Sequence, residues 1–258
     1  MKNAALFLGF LLVGCVTTPE SGRTAVILTS EAQENALGDQ AFQEIIAKES
    51  LSSNGRWRRI LERVGQRIAA ASKAQGFNWE FRLIESKEKN AFCLPGGKVA
   101  FYTGIFPVAL NEAGLAAVMG HEAAHATARH AGQRLTLAFG TQIAFEGLNA
   151  ILKGKLKDKP LLLAALGVGS TLGVSLPFSR MNETEADEIG LIYMARAGYD
   201  PRAAAAFWRR MGEGRGGLPK FLSTHPPSDE REHALGEQLP AAIRLYESSE
   251  KHGMGETL

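Results

Sequence analysis

One stretch of this sequence limits what the rest can fold into. "MGHEAAHATARH", residues 119–130, places His121 and His125 four positions apart with Glu122 beside the first. On a helix, positions i and i+4 lie about 40° apart around the axis and about 6 Å apart along it, so both imidazoles leave one face and can converge on a single ion. Glu122 lies about 100° further round, close enough to reach a ligand of that ion without binding the ion itself. Ala123, Ala124, Ala126 and Ala128 allow close packing around such a helix. A catalytic zinc takes three protein ligands and keeps a fourth position open, so a third ligand must come from elsewhere in the chain.

Between His130 and Asn182 the only acids are Glu146 and Asp158. Then "SRMNETEADEIG" brings Glu183, Glu185, Asp187 and Glu188 together. Glu183 and Asp187 share a helical face, and Glu185 points nearly the opposite way. One carboxylate can bind the metal while its neighbour accepts a ring N–H from a ligand histidine and fixes its tautomer. Spacing alone leaves open which does which. It also leaves open an ordinary acidic helix start that offsets the helix dipole.

The surrounding chain reads as one mainly helical domain with a small sheet. Helices are expected over 29–50, 56–75, from Asn111 past Leu135, over 182–197 and 201–213, and after "HPPSDER". "NWEFRLIES" (78–86) alternates as a strand, and "LPGGKVAFYTG" (94–104) holds a Pro-Gly-Gly turn before a β-prone run. The expected sheet is antiparallel, with Val99, Ala100, Phe101 and Tyr102 as an exposed edge on which an extended peptide can pair. The uncharged run 161–178 is expected as a buried or membrane-grazing helical hairpin, since Gly167, Gly169, Gly173 and Pro177 interrupt it. Its alternative, a spanning hairpin made with 135–152, has Glu146 against it. With 29 basic and 27 acidic residues, net charge is +2, which gives no electrostatic reason to expect nucleic acid as a partner.

The N-terminus, "MKNAALFLGFLLVGC", has one basic residue and an apolar run too short to span a bilayer as a mature helix. "LVGC" resembles a bacterial lipobox. That resemblance implies a signal peptide at 1–14, lipidation of Cys15, and a flexible lipidated tether at 15–28. Val16 favours the periplasmic face of the outer membrane of a Gram-negative-type cell. The remaining cysteine, Cys93, then has no intrachain partner, and a packed, inert thiol is expected.

"HEAAHATARH" followed by "SRMNETEADEIG" resembles the M48 family of zinc metallopeptidases. "SEAQENALGDQ", "NAFCLPGGKVAFYTGIF" and "STHPPSDER" agree in order, so the resemblance covers about residues 28 to 235. It implies an α+β, mainly α fold with a thermolysin-like gluzincin core, a peptidase domain over 29–250 and a flexible tail at 251–258. It also implies one Zn²⁺ held by His121, His125 and Glu183, with Asp187 as a partner behind them. His225 and Arg231 are implied as oxyanion stabilisers, or His225 as a fourth zinc ligand that silences the site. His130 and His233 are read as surface or supporting residues.

The expected activity is zinc-dependent endopeptidase cleavage of unfolded or misassembled cell-envelope proteins, with Glu122 as general base toward a metal-bound water. The resemblance implies unfolded polypeptides as substrates, outer-membrane proteins or their assembly machinery as partners, and membrane contact through the lipid anchor. The alternative is a chaperone-like assembly factor with gated or low protease activity.

Overall fold

The computed structural model describes residues 14–139, 164–167, 178–213 and 219–258. The apolar run at 4–13, the basic loop at 153–160 and most of the uncharged run at 161–178 lie outside them. Residues 15–28, expected as a flexible tether, form a hairpin instead. Strand β1 (Cys15–Thr17) pairs antiparallel with β2 (Thr24–Val26), and Cys15 stands opposite Val26. The hairpin is docked: both Glu20 carboxylate oxygens accept from Arg196, at 2.5 and 3.0 Å, and Ser21 and Arg23 both bond Glu185. Three-residue strands carry too little alternation to be read locally, and these partners lie more than 160 residues away in sequence. Cys15 is exposed and, like Cys93, forms no disulfide.

Ser30 opens helix α1 (Glu31–Ile46) with a reciprocal cap, in which its hydroxyl accepts from the Gln33 N–H and the Gln33 side chain accepts from the Ser30 N–H. Asn54 caps α2 (Gly55–Ser72). Strands β3 (Glu80–Ile84), β4 (Ala91–Leu94) and β5 (Lys98–Tyr102) follow. Leu94-Pro95-Gly96-Gly97 closes the β4–β5 hairpin: the Gly97 N–H donates to the Leu94 carbonyl, and Gly96 has φ of +81°, the left-handed position after proline that a type II turn needs.

The sheet order is β3-β5-β4, with β3 parallel and β4 antiparallel to β5. Two expectations are corrected here. The sheet is mixed rather than antiparallel, and Val99–Tyr102 is its buried central strand rather than an edge. Alternation marks a strand but not its neighbours, so the sequence could not show that Ala91–Leu94 takes the outer place.

After the short α3 (Phe106–Ala109), Asn111 caps α4 (Glu112–Thr127) by accepting from the Gly114 N–H. Every residue of α4 from Glu112 to Ala126 is buried. The first free N–H groups of this helix are met by residues expected as a loose tail: the Glu112 N–H donates to the Glu256 carbonyl and the Ala113 N–H to that of Met254. Residues 251–258 are therefore tied down by main-chain hydrogen bonds, although most of their side chains stay exposed. Buried Glu112 also accepts from Tyr199 at 2.8 Å and from Arg63, which fixes the start of the helix.

Helix α5 (His130–Phe139) turns away after Arg129, whose φ is +55°. Ser179 caps α6 (Arg180–Arg196). Helices α4 and α6 cross backbone to backbone at Gly120 and Gly190; a Cβ on Gly120 would stand 2.7 Å from the Gly190 carbonyl oxygen. That contact sets His121 beside the acidic first turns of α6. Helices α7 (Arg202–Gly212), α8 (Lys220–Thr224) and α9 (Asp229–Glu247) close the far side, and Ser228 caps the last. The described residues form a mainly helical α+β fold with two small sheets. Among the described residues, no helix is long and apolar enough to cross a membrane.

Candidate metal centre

Four side chains from two helices and the end of a third point at one spot. His121 and His125 come from α4, Glu183 from the first turn of α6, and His225 from the C-terminal end of α8. One ligand atom from each lies within 4.8 Å of all the others, and all four residues are buried. His121 Nε2 is 3.1 Å from His125 Nε2 and 3.2 Å from His225 Nδ1. Glu183 Oε1 is 3.0 Å from His225 Nδ1 and 3.4 Å from His125 Nε2. Donors bound about 2.1 Å from a tetrahedral ion stand about 3.4 Å apart, so these spacings suit one small cation.

Each ligand candidate is held from behind. His121 Nδ1 lies 2.9 Å from Asp187 Oδ1. Arg231 donates from Nε to Asp187 Oδ2 at 2.7 Å and from Nη2 to Oδ1 at 2.9 Å, and its Nη1 stands 2.9 Å from Glu183 Oε2. The Arg231 guanidinium is thus spent on the two carboxylates and on the Pro226 carbonyl. This corrects its expected place at the reacting carbonyl: Arg231 is a strut behind the centre, because burial draws it to the nearest anions.

His125 has a longer chain of support that the sequence did not reveal. Its Nδ1 lies 2.8 Å from His130 Nδ1, and His130 Nε2 lies 3.0 Å from Glu185 Oε2. Spacing sent Glu185 away from Glu183 and Asp187, which is correct, but its direction leads to fully buried His130 on α5. The one available signal was that His130 follows His125 within a single motif. His233, by contrast, is exposed beside Glu237.

Each imidazole also meets an aromatic wall: Trp208 edge-on at 5.1 Å from His121, Phe178 at 4.0 Å from His125, and Phe221 stacked at 4.3 Å on His225. On Phe178 rests the Arg134 guanidinium, 4.0 Å from the ring centre and buried; among the described residues none of its nitrogens is hydrogen-bonded. Burial pushes it down to about 10 against the pull of Glu183.

Protonation follows from burial and neighbours. Burial drives His125 well below the usual imidazole range, with Glu183 only partly offsetting it. Burial pulls His121 the same way, but its hydrogen bonds to Asp187 and Glu183 prevail and raise it to about 9. Burial would also protonate Glu183, yet the imidazoles that face it, His225, His125 and His121, hold it well below the carboxylate range. For Glu122 burial prevails and raises it. Burial, with the Glu122 charge behind it, lifts the Cys93 thiol well above its usual value, so it stays protonated and inert.

Glu122 itself stands beside the cluster. Its Oε2 accepts from the Cys93 main-chain N–H at 3.2 Å, and its Oε1 lies 3.5 Å from His225 Nε2. Among the described residues that buried Oε1 has no hydrogen-bond partner, an expensive arrangement unless something else belongs there. The strand that touches Glu122 is β4, not β5.

Comparison with known proteins agrees with this geometry. The sequence profile of peptidase family M48 matches residues 56–239. The chain is 37% identical over 225 residues to the mitochondrial metalloendopeptidase OMA1 of Schizosaccharomyces pombe, covering 84% of this chain and 64% of that protein. It is 27% identical over 257 residues to the mitochondrial metalloendopeptidase OMA1 of Homo sapiens, covering 94% and 49%. It is 28% identical over 222 residues to the beta-barrel assembly-enhancing protease of Escherichia coli, covering 83% and 45%. The chain therefore spans about half to two thirds of the length of these relatives.

The expected location is corrected by the same comparison. Relatives from fungi, a plant and mammals are named as mitochondrial proteins, which points away from the periplasmic face of a bacterial outer membrane. A short apolar run ending in Gly-Cys is a local pattern confined to residues 4–15, far weaker than similarity along most of the chain.

Proposed function

Because the chain belongs to peptidase family M48, we propose that it is a zinc-dependent endopeptidase for unfolded or misassembled polypeptides, with His121, His125 and Glu183 as its metal ligands. The observation that carries this reading is the unpartnered Oε1 of Glu122, buried beside four converging N and O donors. Family membership implies a metal; the N and O donor set and the donor spacing favour zinc. A bound zinc ion supplies Lewis-acid polarisation of the carbonyl to be cut.

The protein's own groups account for the rest. The Cys93 N–H fixes one oxygen of Glu122 and leaves the other free to take a proton from water. A carboxylate raised by burial holds that proton well enough to pass it to the leaving amine. Asp187 keeps the His121 proton on Nδ1, so that Nε2 presents a lone pair. The register puts Phe92 and Leu94 opposite Ala100 and Lys98, with the Tyr102 N–H bonded to the Asn90 carbonyl. Antiparallel alternation then turns the main-chain groups of Ala91 and Cys93 away from β5. An extended peptide pairing on that side of β4 is held by its backbone and brought to Glu122, so selection among sequences is loose. Ligand helix, edge strand and third ligand from a later helix together support a thermolysin-like core.

One observation favours a second reading. His225 stands among the ligands, where water or substrate would otherwise reach the cluster. A gated enzyme whose binding matters more than its cutting fits that placement. It would parallel the assembly role in the name of the Escherichia coli relative.

The test is cleavage of a reduced, unfolded model protein by wild type and Glu122→Gln, with zinc measured in both. Zinc in both and cutting by wild type alone supports the endopeptidase. Cutting that persists in Glu122→Gln contradicts it.

A further inference from the structure

The N-terminal hairpin lies outside the matched family region, which begins at residue 56, yet it reaches the metal centre through an unbroken chain of contacts. Ser21 Oγ donates to Glu185 Oε1 at 2.5 Å, and Arg23 Nε donates to Glu185 Oε2. Glu185 Oε2 meets His130 Nε2 at 3.0 Å, and His130 Nδ1 meets His125 Nδ1 at 2.8 Å. His125 Nε2 is the atom that faces the cluster. Arg23 is itself aimed by Gln133, whose Oε1 accepts from Nη2 at 2.9 Å.

The protons along this chain can be placed. An imidazole that offers Nε2 to a cation carries its proton on Nδ1, so His125 donates from Nδ1 to His130 Nδ1. His130 must then be protonated on Nε2, and that proton is donated to the Glu185 carboxylate. The order of both tautomers is imposed by one anion at the far end. That anion is nearly buried, and the cation that compensates it, Arg23, belongs to the hairpin.

We propose that Arg23 and Ser21 are positioning residues for the metal centre, acting through Glu185 and His130 on the ring of His125. The hairpin at residues 14–28 is on this account part of the working site, and a chain cut within it holds its metal less well. His121 and His125 are thereby oriented by two different anions: Asp187, braced from α9 by Arg231, and Glu185, braced from the N-terminus by Arg23. The proposal rests on the metal-centre reading above.

The experiment is chelator competition for zinc on the full chain, comparing wild type, Arg23→Ala, Arg23→Lys, Ser21→Ala and Glu185→Gln. Nitrogen-15 spectra of the histidine rings in the zinc-loaded proteins accompany it. Partners behind metal ligands are typically worth 10- to 100-fold in metal affinity. Arg23→Ala and Glu185→Gln should each weaken zinc binding by about tenfold, with Ser21→Ala weaker in effect. Arg23→Lys should recover much of the loss. The protonated Nδ1 of His125 should shift in Arg23→Ala, a change that hairpin docking alone would not produce. Should Arg23→Ala fail to fold, the near-isosteric Glu185→Gln answers the same question. Zinc affinity within twofold of wild type in both variants, or a loss without movement of the His125 ring signal, would overturn the proposal. A wild-type chain that holds no zinc would instead contradict the metal centre itself.

Discussion

His121 offers Nε2 to the cluster and turns Nδ1 to Asp187, whose Oδ1 lies 2.9 Å away. Asp187 is in turn gripped at both oxygens by Arg231, so ligand, anion and cation form one braced line from α4 through α6 to α9. Asp187→Asn keeps the shape but removes the charge that fixes the His121 proton. Cleavage rate and zinc affinity should both fall, by about 10- to 100-fold. Kinetics on a quenched peptide together with metal titration check this; unchanged zinc affinity would show that the brace is only structural.

The same pair sets a pH dependence. In protein treated with chelator, His121 is raised to about 9 by its carboxylate partners. A histidine whose folded pKa lies above its unfolded value near 6.5 adds stability below that value and loses it as pH rises through the folded pKa. From pH 6.5 to 9 the chelator-treated protein should therefore lose stability. Zinc must displace the His121 proton, so its affinity should rise across the same window. Calorimetry in buffers of different ionisation enthalpy should find about one proton released per zinc below pH 9. Release of none would remove the basis of this account.

Gly120 and Gly190 allow α4 and α6 to touch along their backbones. Gly120→Ala puts a methyl carbon against the Gly190 carbonyl and must push the ligand helix away from Glu183. Overpacking of this kind costs about 1–3 kcal/mol. Denaturant unfolding should show that loss, with weaker zinc retention beside it. Wild-type behaviour in both would mean that the crossing has slack.

His225 carries its own expectation, since its Nδ1 lies 3.0 Å from Glu183 and its Nε2 3.5 Å from Glu122. If it occupies the open position of the metal, His225→Ala should keep zinc and cut an unfolded substrate several-fold faster. A fall in cleavage with zinc retained would assign His225 to the reaction rather than to its restraint.

Much of this was legible where the governing interactions are local. Asn111 as a cap, the i, i+4 pairing of His121 and His125, and the common face of Glu183 and Asp187 all follow from positions within a few residues. The structure brings His121, His125 and Glu183 into one cluster, with Asp187 behind His121. What stayed hidden depends on contacts distant in sequence. Val99–Tyr102 is apolar at every position, which does not by itself separate a central strand from an edge. Nothing near Arg23 announces a carboxylate at 185, and nothing near Met254 announces the bare start of α4. The bond between His130 and His125 spans five residues, but it depends on the left-handed turn at Arg129, which the pattern of helix formers conceals.

The central claim is that a zinc ion is held by His121, His125 and Glu183 beside Glu122. X-ray absorption at the zinc edge of the purified full chain, wild type beside Glu183→Ala, tests it most directly. The account predicts one zinc in wild type with only nitrogen and oxygen neighbours, at about 2.0–2.2 Å, and loss of most of the metal in Glu183→Ala. A sulfur neighbour near 2.3 Å, or a full zinc complement in Glu183→Ala, would contradict it.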